Sequence, residues 1–536
     1  MKKKTNLEEN YPQHKLVIIG GGIVAAIEAY FAYLDAKDKN TPIRVIIYEK
    51  NKALSETTTS HLVPSLTPDE IFVVPRGQEL VKLLQSNEIC VDDEEGIYKS
   101  EVAEQFIKKL KEYSTDEEGH QIRTKTLLEL GKMSMKLWQH IYDNADSKLK
   151  AILEESNFNP CRESKTVEGT LHDGYRIDLI YKDPNAKRKA STMISNYQEL
   201  GYINSKVLSP KEVMEKDLFL TDFCKANSTI GEHQWKEDVI ALWRPGGCID
   251  TQVFLPKFYA YLSDVMGRYT NQHGELKPCF HLKFDRNVTG VTYSSPNTIS
   301  GVLFFDRPAK AHKHQYDREE YVFCPGESVG TLKKLGFDEP AYSGFAGVSL
   351  KLNIRVNEKI LSKYKQFNHY MEIHQEGLTL AWQGRVIDNM IFIGAAGAKS
   401  FSSDQKPHKD QAFARNNNLL QLNVMNEILP QIISIALGRN TEGQQLTAED
   451  LIQLEQNGIA ERWVGIRAVA FDGYPTIGAI SNSNGLISNA RCTTHLGSCG
   501  ASFAPAAVHV SRSIFSQQAD IEDLTNEVLS FGKTMR

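Results

Sequence analysis

The chain has no C-x-x-C pair, no internal repeat, no low-complexity tract and no marked excess of either charge. Its eight cysteines, at 90, 161, 224, 248, 279, 324, 492 and 499, are scattered along 536 residues. That spacing argues against a disulfide framework and points to free thiols in a reducing, cytoplasmic setting. With 62 basic against 67 acidic residues the net charge is −5, which favours neither nucleic acid nor an anionic membrane and leaves a small molecule as the expected partner. What the chain does have is an ordinary globular composition, 41% hydrophobic and 24% charged, enough to bury a large core divided between two or three domains.

One apolar stretch, "KLVIIGGGIVAAIEAYFAYL", follows a Lys-rich N-terminus and could pass for a signal peptide or a membrane span. Glu28 and three consecutive glycines inside it argue against both, and no stable membrane insertion is expected. It reads better as strand, turn and helix. Residues 15–19, "KLVII", suit a strand buried on both faces; Gly20, Gly21 and Gly22 make the turn; from Ile23 to Ala36 small and apolar residues recur at helical spacing. A second strand, "IRVIIYE", ends at Glu49.

Gly20, Gly22 and Ala25 satisfy G-x-G-x-x-A at that strand-to-helix turn. Gly20 permits the tight turn, Gly22 lets backbone N–H groups approach a pyrophosphate, and Ala25 keeps helix and strand close. The helix N-terminus adds unpaired donors and a positive dipole end, and Glu49 can accept from ribose hydroxyls. Gly20, Gly21, Gly22, Ile23, Val24, Ala25, Glu49 and Lys50 are the expected contacts of a dinucleotide. The motif alone fits FAD and NAD equally.

From about 85 to 235 the chain turns charged and helix-rich, in "QFIKKLKEYS" and "TLLELGKMSMKLWQHIYDN", followed by strand-like "GYRIDLIY". This reads as a domain inserted into the first. "LWRPGGCID" then introduces an amphipathic helix, "TQVFLPKFYAYLSDVMG", with strands around "NVTGVTY", "GVLFF" and "EYVFCPG". Further strands are expected at "VSLKLNIRV", "LTLAW" and "MIFIGAAG", a helix at "NLLQLNVMNEILPQIISIAL", and a solvated loop or hairpin at "KAHKHQYDREE". Near the end, Cys492, His495 and Cys499 fall close together. Zinc needs about four N or S ligands; these are three, with no Cys or His pair spaced to complete the set, so no metal is expected.

Three further stretches carry a family resemblance. "SETTTSHLVPSL" follows Glu49; "RPGGCID", a helix, "NVTGV" and "VFCPGESVGTLKKLG" come next; "MIFIGAAG", "RWVGIRAVAFDGYPTIG" and "GLISNARCTTHLGSCGASFAPAAVHVSRSIF" close the order. In this order the chain resembles the FAD-dependent D-amino-acid oxidase and glycine oxidase superfamily over nearly its whole length, least between about 85 and 235. The resemblance implies an α/β protein, α+β overall. A Rossmann-like FAD-binding domain (1–85, 236–345 and 478–536) would be joined to a discontinuous substrate or cap domain (86–235 and 346–477) built on a mixed or antiparallel sheet plus helices. It further implies that Thr57, Thr58, Thr59 and Ser60 offer hydroxyls to the FAD pyrophosphate, that Val288 touches the adenine with its backbone, and that Gly326 passes the ADP half. Cys324 and Pro325 stand where the family has Ala-Thr or Ala-Ala before that glycine. Gly497, Ser498 and Gly500 would approach the flavin, and the helix from about Ala501 would aim its N-terminus there, favouring the negative charge of the reduced cofactor.

By the same resemblance the activity is oxidation of an amine or amino-acid C–N bond by hydride transfer to flavin N5, with O2 or another acceptor reoxidising the cofactor. Such chemistry needs a well-held neutral amine more than a dedicated base, so no catalytic acid or base is assigned. Arg467 matches the arginine that in some members binds a substrate carboxylate; Ala468 replaces the usual proline after it. His61 and His495 are expected in loops facing the flavin, and attachment of FAD is expected to be non-covalent. Two other readings remain open: a flavin-dependent hydroxylase, whose usual Gly-Asp phosphate motif "FIGAAGAKS" lacks, and an FAD-binding protein without turnover, suggested by Cys324-Pro325 and by Leu62, Val63 and Pro64.

Overall fold

The computed structural model describes residues 12–61, 65–69, 105–160 except 107, 113 and 114, 174–181, 185–216, 239–305 except 272 and 273, 307–308, 316–355 except 327, 329 and 341, 370–375, 378–387, 390–398, 434, 448–497 and 500–517. In chain order the strands are β1 (His14–Ile19), β2 (Ile43–Tyr48), β3 (Tyr175–Tyr181), β4 (Lys206–Leu208), β5 (Val239–Pro245), β6 (Arg268–Thr270), β7 (Leu276–Pro278), β8 (Phe280–Lys283), β9 (Gly290–Ser295), β10 (Thr298–Phe304) and β11 (Arg307–Pro308). They continue with β12 (Arg318–Phe323), β13 (Tyr342–Arg355), β14 (Tyr370–Gln375), β15 (Leu378–Ile387), β16 (Met390–Ala398), β17 (Ala460–Ala470), β18 (Thr476–Asn482) and β19 (Gly485–Thr494). Four helices matter most below: the opening helix Ile23–Asp38, the bridging helix Glu117–Asp143, the helix Thr251–Val265 and the closing helix Gly500–Gln517.

A six-stranded sheet runs in the order β18-β19-β12-β1-β2-β8, parallel except for the β18–β19 hairpin at its edge. β2 is buried at every residue and β1 over its last four, so both strands read as unbroken apolar runs rather than alternating ones. Alternation appears instead in which core each side chain joins. Leu16, Ile18, Val45 and Ile47 pack with the opening helix and with Phe254 and Phe258, while Val17, Ile19, Ile46 and Tyr48 pack on the other face with Phe323, Ala490 and Cys492.

The second sheet has eight strands in the order β17-β13-β16-β15-β14-β3-β5-β4, antiparallel except at β14–β3. It is the mixed sheet expected beside the nucleotide-binding fold. It takes β5 at Val239–Pro245 and the whole of β13 from Tyr342; the boundaries read from sequence group β5 and only the start of β13, up to residue 345, with the FAD-binding part. One hydrophobic core joins the sheets, since Trp138 of the bridging helix, Tyr175 and Trp243 of the second sheet, and Ala501 and Ala504 of the closing helix belong to the cluster that holds β1 and the opening helix.

The bridging helix is capped by Asp116, whose carboxylate accepts from Gly119 N at 2.9 Å. The helix expected within 418–437 lies outside the described residues except Ser434, as do Leu62, Val63 and Pro64. Among the described residues no helix is long and apolar enough to cross a membrane.

Candidate functional site

β1 delivers the chain to Gly20 at φ +104°, a conformation that strains any L side chain. A Cβ there would lie 2.1 Å from Cys324 O, at the end of the neighbouring β12. At Gly21 an added Cβ would meet Glu49 Oε2 at 2.9 Å, and at Gly22 it would meet Thr59 Oγ1 at 2.8 Å. Each glycine therefore admits a different neighbour. Gly21 N donates to Glu49 Oε2 at 2.6 Å, and Ile23 N, in the first turn of the opening helix, donates to Thr59 Oγ1 at 3.0 Å. Tyr259 of helix Thr251–Val265 donates its hydroxyl to Gly21 O at 3.1 Å. Burial, then the nearby Glu49 charge, pushes that phenol well above its ordinary 10.0, which keeps it a donor.

This turn forms one wall of a cleft of about 1050 Å³, counting the space open to solvent. The cleft brings together Gly20, Gly21, Gly22, Ile23, Val24, Ala25, Glu49, Lys50, Thr57, Thr59, Val288, Gly326, His495, Gly497 and Gly500. These come from six separate stretches of the chain. Glu49 is buried and also accepts from Asn51 N at 2.9 Å through Oε1; with two lone pairs on each oxygen it can still accept from hydroxyls. Lys50 Nζ donates to Ser328 Oγ at 2.7 Å across the cleft, and Arg286 stands at the rim beside Val288.

The far wall is the end of β19 and the glycine loop after it. His495 is buried and adopts φ +58°, unusual for a residue other than glycine. Its Nδ1 lies 2.7 Å from Thr476 Oγ1, its Nε2 3.2 Å from Glu339 Oε1, and its ring stacks on Tyr342 with centroids 5.9 Å apart. Gly497, at φ +59°, donates its N–H to Ala468 O at 2.9 Å and so ties the loop to β17. Ala468 lines the cleft, and Arg467 precedes it on β17, paired in register with Phe345 of β13.

Not every expected residue faces the cleft. Ser60 turns its hydroxyl onto Leu54 O at 2.5 Å, and Ala501 packs against the bridging helix; neither lines the cleft. Thr57 lines it, yet its hydroxyl donates to Leu54 O at 2.7 Å. The backbones of Thr58 and His61 form a short 3-10 turn. Their side chains, that of Arg467, and the whole of Ser498 and Cys499 lie outside the described residues. The closing helix starts at Gly500, one residue before the expected Ala501.

Cys492 points its thiol at Thr476 O, 3.8 Å away, inside the core beneath β19. Burial, then the Glu339 charge, raises it to about 12, so it is a protonated core residue. Among the described residues no three His, Cys, Asp or Glu are grouped as metal ligands. Reading the sequence missed Tyr259, hidden in an apolar helix face, and Asn287, Ser328, Thr331, Thr493 and Thr494. The hydroxyls of "PGESVGT" and the Thr pair before His495 were the available signals.

No protein-family model matches the chain, and no curated protein sequence does. Solved structures do. Glycine oxidase from Bacillus cereus ATCC 14579 is similar at 13% identity and TM-score 0.51, over 94% of this chain and 96% of that one. L-Proline dehydrogenase from P. horikoshii is similar at 13% identity and TM-score 0.53, over 95% of each chain. Iminodiacetate oxidase from Chelativorans sp. BNC1 is similar at 13% identity and TM-score 0.50, over 93% of this chain and 94% of that one. The chain therefore shares the fold of these three structures along nearly its full length.

Proposed function

We propose that this protein is an FAD-dependent oxidoreductase that oxidises the C–N bond of an amine or amino acid. The observation that carries the reading is the cleft itself, where the Gly20–Gly22 turn, Glu49 and the start of the closing helix converge. The residues fit the cofactor. Backbone donors of the opening helix and the Thr59 hydroxyl would hold the pyrophosphate, Glu49 the ribose, the Val288 backbone the adenine, and Gly497 and Gly500 the flavin end. When bound, FAD supplies the hydride acceptor at N5.

The chain's own part is positional. Gly20 to Gly22 keep side chains out of the phosphate path, Tyr259 fixes the carbonyl of Gly21, and the N-terminus of the closing helix presents donors where negative charge gathers on reduction. The substrate amine would enter from the β17 side, with Arg467 binding a carboxylate in bidentate fashion. The imine product would be hydrolysed by water, and O2 or another acceptor would take the electrons. FAD attachment would be non-covalent. Cys248, Cys279, Cys324 and Cys492 are buried free thiols, which supports a reducing compartment such as the cytoplasm.

The test is the flavin content of the purified protein, then anaerobic bleaching of that flavin by a panel of amines and amino acids. Bleaching by one substrate class and not by NADPH supports the reading. Flavin left oxidised by the whole panel but reduced by NADPH would make the protein a hydroxylase instead, and flavin reduced by neither a binding protein without turnover. Arg467→Ala is expected to raise KM for an acidic substrate by about 10-fold or more with FAD content unchanged, read from steady-state kinetics.

A further inference from the structure

The closing helix carries Pro505 in its second turn. Proline has no N–H, so the carbonyl four residues earlier, that of Ala501, loses its partner within the helix. Another element supplies it. Trp138 Nε1, on the bridging helix, donates to Ala501 O at 3.1 Å. One turn earlier on the same face, Ser134 Oγ donates to Ser502 O at 2.5 Å and accepts from Ala506 N at 3.4 Å, the next acceptor and donor along the closing helix. Trp138, Ser134, Ser502 and Ala506 have no exposed surface, so each of these polar groups depends on the other helix rather than on water.

The same pair of helices also grips the segment after the Thr-rich loop. Ser502 Oγ donates to Ser65 O at 3.1 Å and accepts from Thr67 N at 3.1 Å. Gly131 of the bridging helix lies so close that a Cβ would sit 1.9 Å from Pro68 O. The turn held in this way begins at Gly500, on the wall of the cleft.

We propose that Trp138 and Ser134 are positioning residues: Trp138 replaces the helical hydrogen bond that Pro505 removes, Ser134 holds the next carbonyl and N–H along the helix, and together they aim the N-terminus of the closing helix into the cleft. The proposal deepens the FAD reading and rests on it for the purpose of the aim, while the replaced hydrogen bonds can be tested without cofactor. The discriminating construction is a rescue. In Trp138→Phe the ring packing is largely kept and the N–H is lost; in Pro505→Ala a backbone N–H returns to serve Ala501 O.

The experiment measures hydrogen exchange of the peptide spanning 500–510 in the cofactor-free protein, and FAD affinity by quenching of flavin fluorescence. Trp138→Phe is expected to speed exchange there and weaken FAD by about 10-fold, the effect of one orphaned buried carbonyl. In the Pro505→Ala background the same substitution should change either quantity by less than about 2-fold. Ser134→Ala, which removes a single oxygen, should speed exchange in the same peptide, and it keeps the test open if Trp138→Phe does not fold. Unchanged exchange in both single variants overturns the proposal. So does an equal loss with and without Pro505, which would assign the effect to ring packing. A wild-type protein that binds no FAD would sink the cofactor reading, leaving the exchange measurement to decide the hydrogen bonds.

Discussion

The opening helix, capped by Gly22, and the closing helix, which begins at Gly500, both start on the wall of one cleft, yet they are held there differently. The opening helix follows β1 through a three-residue turn; the Gly21 N–H of that turn meets Glu49 and the Ile23 N–H that opens the helix meets Thr59, only 28 and 36 residues along the chain. The closing helix is interrupted by Pro505 and depends on Trp138 and Ser134, 363 and 368 residues away. One helix start is a local motif; the other exists only once distant parts of the chain have packed. The comparison teaches that two similar donor arrays facing one cleft can have unrelated structural origins.

The largest expected effect tests what the two helices share. Glu28 of the opening helix, fully buried, accepts from Arg491 at 2.5 and 2.8 Å and from Arg512 of the closing helix at 2.6 Å. Glu28→Gln leaves buried guanidinium charge without its counterion and should cost about 3–5 kcal/mol, read by urea denaturation. Burial alone would raise this carboxyl, but Arg491 and then Arg512 outweigh burial and hold it below its ordinary 4.5. A carboxyl lowered in the folded state contributes stability above its unfolded value and loses it as pH falls toward the folded one. The wild type should therefore lose this contribution below about pH 4.5, and Glu28→Gln should flatten that part of the curve. An unchanged acid limb would mean that the two helices are not joined through this charge.

Next comes Gly20→Ala, which puts a side chain at φ +104° and 2.1 Å from Cys324 O. About 3 kcal/mol of stability should be lost, together with flavin retention, measured by denaturation and by absorbance of the purified protein. A yellow, stable variant would show that the opening turn is not sterically fixed. Thr59→Val should act least, about 1–2 kcal/mol, by removing the acceptor of Ile23 N. If hydrogen exchange at the start of the opening helix did not change, the local half of the comparison would be wrong.

The legible part of the molecule was the part whose causes are close in sequence. Strand, glycine turn, helix and Glu49 lie within residues 14–49 and appear in the structure as read, because a turn with one steric solution needs glycine wherever it occurs. His495 was legible as a residue near the cleft but not as one bound on both ring nitrogens, since Thr476 and Glu339 carry no pattern that announces them. The Cys, His, Cys spacing looks like a metal clamp but offers only three ligands; in the structure Cys492 faces the core while His495 lines the cleft. Tyr259 was invisible because an apolar helix face looks the same whether or not one hydroxyl on it reaches a carbonyl.

By itself the sequence determined the strand, glycine turn and helix of residues 14–38, the order of the motifs and the kind of fold, because glycines, β-branched runs and a carboxylate at fixed spacing act through the backbone next to them. The tertiary structure alone decided that the bridging helix, the closing helix and residues 65–69 form one clamp. It also decided that β5 and β13 join the eight-stranded sheet and that Pro505 is tolerated inside a helix. The physical reason is common to all three. A hydrogen bond lost locally can be replaced by any donor the fold brings within about 3 Å, and nothing in the neighbouring residues says which donor that will be.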